Sequence, residues 1–226
     1  MGNEIIKNIR YLIKCFLSIV YTTNDCCIIC KNRSYEGIFL CKECNSKLKR
    51  CNETFQIKLN GYNIKVYSSL YYSGITKELI SRLKYKSDFI AGEMLSKIMI
   101  ETLGNANLSI ELITFVPTTR KNLRKRGYNQ TEFLAKTIGR ETNIAVVKLL
   151  RKVKETKDQI GLSGEERWLN INNSYEGINK KNIIGKSILL IDDVITTGAT
   201  AFYCAKALLD KGAKEVHILT SAKSKI

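Results

Sequence analysis

The segment Ser187-Ile-Leu-Leu-Ile-Asp-Asp-Val-Ile-Thr-Thr-Gly-Ala-Thr200 restricts the fold more than any other stretch of the chain. Ile188 to Ile191 form an unbroken apolar run, which suits a central parallel strand buried on both faces. The run stops at two acids, so Asp192 and Asp193 fall at a carboxyl edge. Beyond them, Thr196, Thr197, Gly198, Ala199 and Thr200 lead into a helical pattern in which Ala201, Ala205, Leu208 and Leu209 share a face and Gly212 suits the stop. A strand, a Thr/Gly turn and a helix in that order make an anion site. The N–H groups at a helix start and the helix dipole attract negative charge, Thr hydroxyls add donors, and Gly198 lets the backbone approach without a Cβ. The competing reading is an ordinary strand–turn–helix with solvated acids, and two adjacent acids at this register argue against it.

A second apolar strand, Glu111-Leu-Ile-Thr-Phe-Val-Pro117, ends in Thr118, Thr119 and Arg120, followed by Lys121, Arg124, Lys125 and Arg126. A short basic loop after a parallel strand suits a phosphate-rich leaving group, although a basic run alone also suits a solvated loop. Strands are expected near 62–71, 112–116, 145–150, 187–191 and 215–220, alternating with helices near 76–85, 90–103, 130–140 and 199–211. That alternation predicts an α/β fold with a central, mostly parallel sheet flanked by helices and ligands at its carboxyl edge. His217, the single histidine, falls in one of these strands and reads as a packed residue.

Four of the eight cysteines form two tight pairs, Cys27 with Cys30 and Cys41 with Cys44. Each C-x-x-C turn brings two thiolates to one side of the chain, and two such turns complete a tetrahedral S₄ shell for structural Zn2+. Cys26 is an alternative to Cys27 with a less favourable spacing, and Cys15, Cys51 and Cys204 read as small buried hydrophobes. The cysteine usage, without a recognisable signal peptide, points to a reducing compartment and hence the cytoplasm. At 226 residues the chain has room for one main core and a small module. The expected division is an amphipathic N-terminal helix over 1–25, a zinc knuckle over 26–60 and the main domain over 61–226.

The N-terminal apolar positions Ile5, Ile9, Leu12, Ile13, Phe16, Leu17 and Val20 recur at helical spacing, but Lys14 interrupts the run, so no membrane span is expected. A net charge of +16 favours polyanionic partners: phosphate-rich metabolites, nucleic acid or an anionic surface.

The apolar run, two acids and Thr-Gly-x-Thr turn resemble the phosphoribosyl pyrophosphate motif of type I phosphoribosyltransferases. That resemblance implies that Asp192 and Asp193 bind the ribose hydroxyls and Thr196 to Thr200 hold the 5′-phosphate, with Mg2+ on the pyrophosphate. It places the pyrophosphate at Thr118, Thr119 and Arg120, and a flexible lid at about 152–170, which includes Trp168. Together with the cysteine pairs, the strings Arg126-Gly-Tyr-Asn-Gln130, Leu83-Lys-Tyr-Lys86 and Gln159-Ile-Gly-Leu-Ser163 with Glu166, Arg167 and Asn170 resemble the ComF-like competence protein F family. The implied activity is transfer of phosphoribose to an unidentified acceptor, associated with DNA uptake and its partner proteins. The implied alternative is a non-catalytic module that senses or binds single-stranded DNA.

Overall fold

A computed structural model describes residues 26–33, 39–51, 53–154, 168, 171 and 174–224. The expected N-terminal helix, Cys15, the string from Gln159 to Asn170 and all of the lid from 155 onward except Trp168 lie outside these residues. Among the described residues no helix is long and apolar enough to cross a membrane. The chain divides into two compact units, Met1–Lys47 and Leu48–Ile226.

In the first unit two short turns face one another. Cys26 and Arg33 form an isolated antiparallel bridge, and the Lys31 N–H closes a turn onto the Cys27 carbonyl. Helix α1 (Lys42–Ser46) begins at Cys41, whose sulfur accepts the Cys44 N–H at 3.4 Å in place of the usual capping oxygen.

The second unit is built on a five-stranded sheet in the order β1-β2-β7-β6-β3. Its strands are β1 (Thr54–Leu59), β2 (Tyr62–Tyr71), β3 (Leu112–Phe115), β6 (Ser187–Ile195) and β7 (Glu215–Lys223). β2, β7, β6 and β3 are parallel, as the sequence pattern implies, and β1 adds an antiparallel edge. The β1–β2 connection is Asn60-Gly61, both at positive φ (48° and 79°), the two-residue turn whose twist matches a hairpin.

β6 is the central strand, and Ile188 to Ile191 are fully buried. It does not stop at the acids: pairing with β7 continues through Asp192–Thr220 and Val194–Ala222. On one face lies α7 (Ala199–Leu209), which puts Phe202, Ala205 and Leu208 into a core with Ile64, Val66, Ile188, Leu190 and Ile218. The other face carries α3 (Phe89–Ala106) and α5 (Gln130–Thr142), with α2 (Gly74–Lys86) packed on α3. Two shorter helices, α4 (Arg120–Arg126) and α6 (Lys180–Ile183), lie in the connections.

The strand expected at 145–150 is reduced to a single parallel bridge, Val146 with Ile113. Its ladder ends because the Leu149 N–H goes to the side chain of Thr114 at 3.2 Å rather than to a backbone carbonyl. The chain then leaves the sheet and forms β4 (Leu150–Lys152), paired antiparallel with β5 (Tyr175–Gly177).

Candidate functional site

At the carboxyl edge of β6 the two acids are buried, Asp192 at 8% exposure and Asp193 at 6%, yet their surroundings differ. Asp193 is ion-paired. Its Oδ2 lies 2.7 Å from the Lys84 ammonium and accepts the Gln130 side-chain amide at 3.0 Å. Burial works against the charge on Lys84, but Asp193, and to a lesser degree Asp192, outweighs it and holds the lysine above its ordinary pKa. Among the described residues Asp192 has no such cation within ion-pair distance. Burial, and after it the neighbouring charge of Asp193, pushes its carboxyl up to about 8, against the Asp193 N–H that donates to it.

A cleft of about 360 Å³ opens beside these acids. Asp192, Thr200, Thr118 and Thr119 line it, so the strand ends and the helix start that the sequence singles out converge on one cavity. Arg120 does not line it. It begins α4, which Thr119 caps by accepting the Asn122 N–H at 3.1 Å, and it contributes to an adjoining cavity with Lys148, Arg151 and Lys154. Thr196 and Thr197 are half-buried in the turn before α7, with Thr197 Oγ facing the Ala199 N–H at 3.5 Å.

Gly198 stands at φ 83°, a left-handed conformation, and a Cβ there would meet Ile57 Cδ1 of β1 at 2.7 Å. Gly198→Ala is therefore expected to lower stability by about 1–2 kcal/mol. Thermal melts should show Ile57→Val, which removes the offending methyl, restoring only the part due to the contact and not the part due to φ. Full recovery would mean that the backbone conformation carries no cost.

The two basic–aromatic strings meet at Asp193, which gives their residues distinct tasks. Gly127, at φ 79°, ends α4, and Tyr128 donates to the Leu83 carbonyl, tying the second string to the first. Asn129 caps α5 by accepting the Thr131 N–H, and its amide and the Thr131 hydroxyl both donate to the Val116 carbonyl at the end of β3. Arg126 donates to Gln130 Oε1 at 3.0 Å, which orients the amide nitrogen toward Asp193, and its guanidinium lies 5.1 Å from the Tyr85 ring centre. Lys84 and Gln130 are site residues that sequence reasoning recorded only as parts of strings.

Tyr175 was also missed, since nothing in its surroundings in the sequence marks it. It lines the cavity, and burial pushes its phenol far above the ordinary range, with Asp192 among the nearby charges and the Thr200 side chain beside it. Trp168 packs on α7, its ring 5.5 Å from Phe202 and 5.8 Å from Tyr203. His217 is buried in β7, 3.2 Å from Glu215, with burial lowering its pKa, so it is a packed histidine remote from the cleft lining.

In the first unit the sulfurs of Cys27, Cys30, Cys41 and Cys44 lie within 4.8 Å of one another, with Cys30 and Cys41 at 3.6 Å. The edge of an S₄ tetrahedron around zinc is about 3.8 Å for bonds of about 2.3 Å, so the donor set fits a tetrahedral thiolate metal. Burial opposes ionisation of Cys27, but N–H groups of Cys41, Cys30 and Ile29 outweigh it and bring its thiol down to about 6, whereas burial and the neighbouring thiols push Cys44 up to about 12, so without a cation the cluster favours one thiolate and not four. Cys51 and Cys204 are buried and free, as small apolar residues are.

Residues 124–225 match the family model described as phosphoribosyl transferase domain. Over 153 residues the chain is 29% identical to competence protein F of Haemophilus influenzae, covering 65% of this chain and 67% of that protein. Over 192 residues it is 27% identical to competence protein ComFC of Bacillus subtilis, covering 84% of this chain and 74% of that protein. A solved glutamine phosphoribosylpyrophosphate amidotransferase from B. subtilis aligns at a TM-score of 0.41 and 21% identity, covering 57% of this chain and 26% of that longer one. A phosphoribosyl transferase domain match following a four-cysteine knuckle, with competence proteins among its curated relatives, makes this chain similar to the ComF-like competence proteins.

Proposed function

We propose that the protein binds phosphoribosyl pyrophosphate in the cleft at Asp192 and transfers phosphoribose to an acceptor, releasing pyrophosphate, in a cytoplasmic role tied to DNA uptake. The observation that carries this reading is the convergence of Asp192, Thr118, Thr119 and Thr200 on one cavity, at the end of a buried parallel strand and the start of α7. The names of the relatives, competence protein F and ComFC, support the link to DNA uptake.

Asp192 accepts hydrogen bonds from the ribose hydroxyls and fixes the sugar, while Asp193, held by Lys84 and Gln130, sets the position of the strand end. The turn from Thr196 to Thr200 receives the 5′-phosphate on the N–H groups of the α7 start. The bond from the anomeric carbon to pyrophosphate breaks as the acceptor's lone pair forms its own bond there, and the electron pair leaves with the pyrophosphate. The Thr118–Thr119 loop and the lining cations Lys125, Arg126 and Lys152 meet that departing charge. No covalent enzyme nucleophile is required, because positioning and charge stabilisation carry the step. Asp192 and the Thr hydroxyls, an all-oxygen donor set, would suit a Mg2+ brought in with the pyrophosphate, which would add to the neutralisation of its charge. The four cysteines hold Zn2+ in a closed structural site.

Calorimetric titration with phosphoribosyl pyrophosphate and Mg2+ is the test. Saturable binding that disappears in Asp192→Asn/Asp193→Asn is expected, and pyrophosphate release on adding the right nitrogen acceptor separates catalysis from sensing. An intact protein that binds nothing would overturn the reading.

A further inference from the structure

Lys84 occupies a position that neither the phosphate turn nor the loop after β3 explains. It stands in the last turn of α2, where the helix C-terminus favours a cation, its ammonium is an ion-pair partner of Asp193, and the residue is part of the cleft lining. Asp193 itself is absent from that lining, so an entering ligand meets the lysine and not the acid behind it. An ammonium carries three donors, and the recorded contact with Asp193 uses one of them. Among the other cations lining the cleft, Arg126 is held by Gln130 and Tyr85, Lys152 lies over the Tyr175 ring at 5.6 Å, and Lys125 stands on α4, whereas Arg120, the arginine of the basic loop, lines only the neighbouring cavities.

Resting on the phosphoribosyl pyrophosphate reading of the cleft, we propose that Lys84 contacts the leaving pyrophosphate, using the donors that its ion pair with Asp193 leaves over. Lys84 then links the two halves of the site. Asp193 and Gln130 hold it in place before the ligand arrives, so the charge that develops on pyrophosphate meets a cation already positioned. Its neutral counterpart in the same place would hold the acid but not the leaving group.

The test compares the intact full-length protein with Lys84→Gln and Lys84→Arg, titrated with three probes: phosphoribosyl pyrophosphate with Mg2+, inorganic pyrophosphate with Mg2+, and ribose 5-phosphate. Gln retains a donor for Asp193, so the fold and the ribose side of the site should persist. The expected result is a loss of about 30-fold or more for the two pyrophosphate-bearing probes, an unchanged affinity for ribose 5-phosphate, and recovery of most of the loss in Lys84→Arg. Equal losses for all three probes would assign Lys84 to holding Asp193 alone and overturn the proposal, as would unchanged binding of all three. If Lys84→Gln fails to fold, the Lys84 side-chain NMR signal of the intact protein, assigned by its loss in Lys84→Arg, should shift with inorganic pyrophosphate and Mg2+ but not with ribose 5-phosphate, and no shift with pyrophosphate would overturn the proposal. Failure of the intact protein to bind phosphoribosyl pyrophosphate would overturn the cleft reading, and this inference with it.

Discussion

Asp192→Asn is expected to raise the melting temperature of the free protein at pH 8 while removing its affinity for phosphoribosyl pyrophosphate. The carboxyl sits at about 8 in the fold, through burial first and the charge of Asp193 second, against about 3.9 in an unfolded chain. Between those two values the folded protein keeps a proton that the unfolded chain gives up, so stability falls as pH rises through that window and levels off above about 8. Asn imitates the neutral form at every pH. The variant should therefore match the parent near pH 4 and exceed it increasingly up to pH 8, by about 2 kcal/mol or more, or roughly 5 °C. Thermal melts of both proteins from pH 4 to 9 would show diverging curves. Parallel curves, or an Asn variant less stable at every pH, would mean that the acid costs the empty fold nothing. A stabilised protein that has lost its ligand is the outcome expected where a functional group is held against its own solvation preference.

The second large effect concerns the knuckle. Removing the metal with a chelator, or replacing the buried Cys44 by Ser, is expected to unfold residues 26–33 and 39–47. The segment has few buried apolar side chains, among them Ile28 and Leu40, and cannot offset its own chain entropy. Binding of a structural zinc supplies folding free energy on the order of 10 kcal/mol. Amide exchange gives the readout: the N–H groups of Cys27, Ile28, Lys31 and Asn45, each bonded to a carbonyl within this unit, should lose protection on chelation, and metal analysis should return one zinc per chain before it. Protection that survives complete metal removal would leave the cysteines as ordinary thiols.

Both expectations concern residues that stood out in the sequence, and the reason is physical. Ile188 to Ile191 form an apolar run that suits a strand buried on two faces, and a C-x-x-C repeated within a short interval is a metal-ligand spacing. Alternation of such runs with helical periods gave the parallel sheet and its functional edge. The antiparallel β1 was missed although its signal was present, because Asn60-Gly61 between alternating residues is a hairpin turn and the expected main domain began at 61. The expected strand at 145–150 failed for a reason no periodicity carries: a single Thr114 hydroxyl takes the N–H that would have continued the ladder. Lys84, Gln130 and Tyr175 were beyond pattern reading for a related cause. Each reaches the cleft through tertiary packing, from α2, α5 and the short β5, and their residue types are ordinary for those elements.

Because β6 stays paired through both acids, the pleat of the strand sends them to opposite faces of the sheet: Asp192 to the side of α7, Asp193 to the side of α2 and α5, and of the two only Asp192 lines the cleft. The two aspartates are chemically identical and yet not interchangeable. A single residue inserted between Ile191 and Asp192 would preserve the composition of the motif while reversing its polarity, presenting to the ligand the acid meant for the lysine. The parity of the count from the buried run to the acids thus fixes which acid the ligand meets, so insertions in the loops around β6 should be tolerated far more readily than insertions in β6 itself.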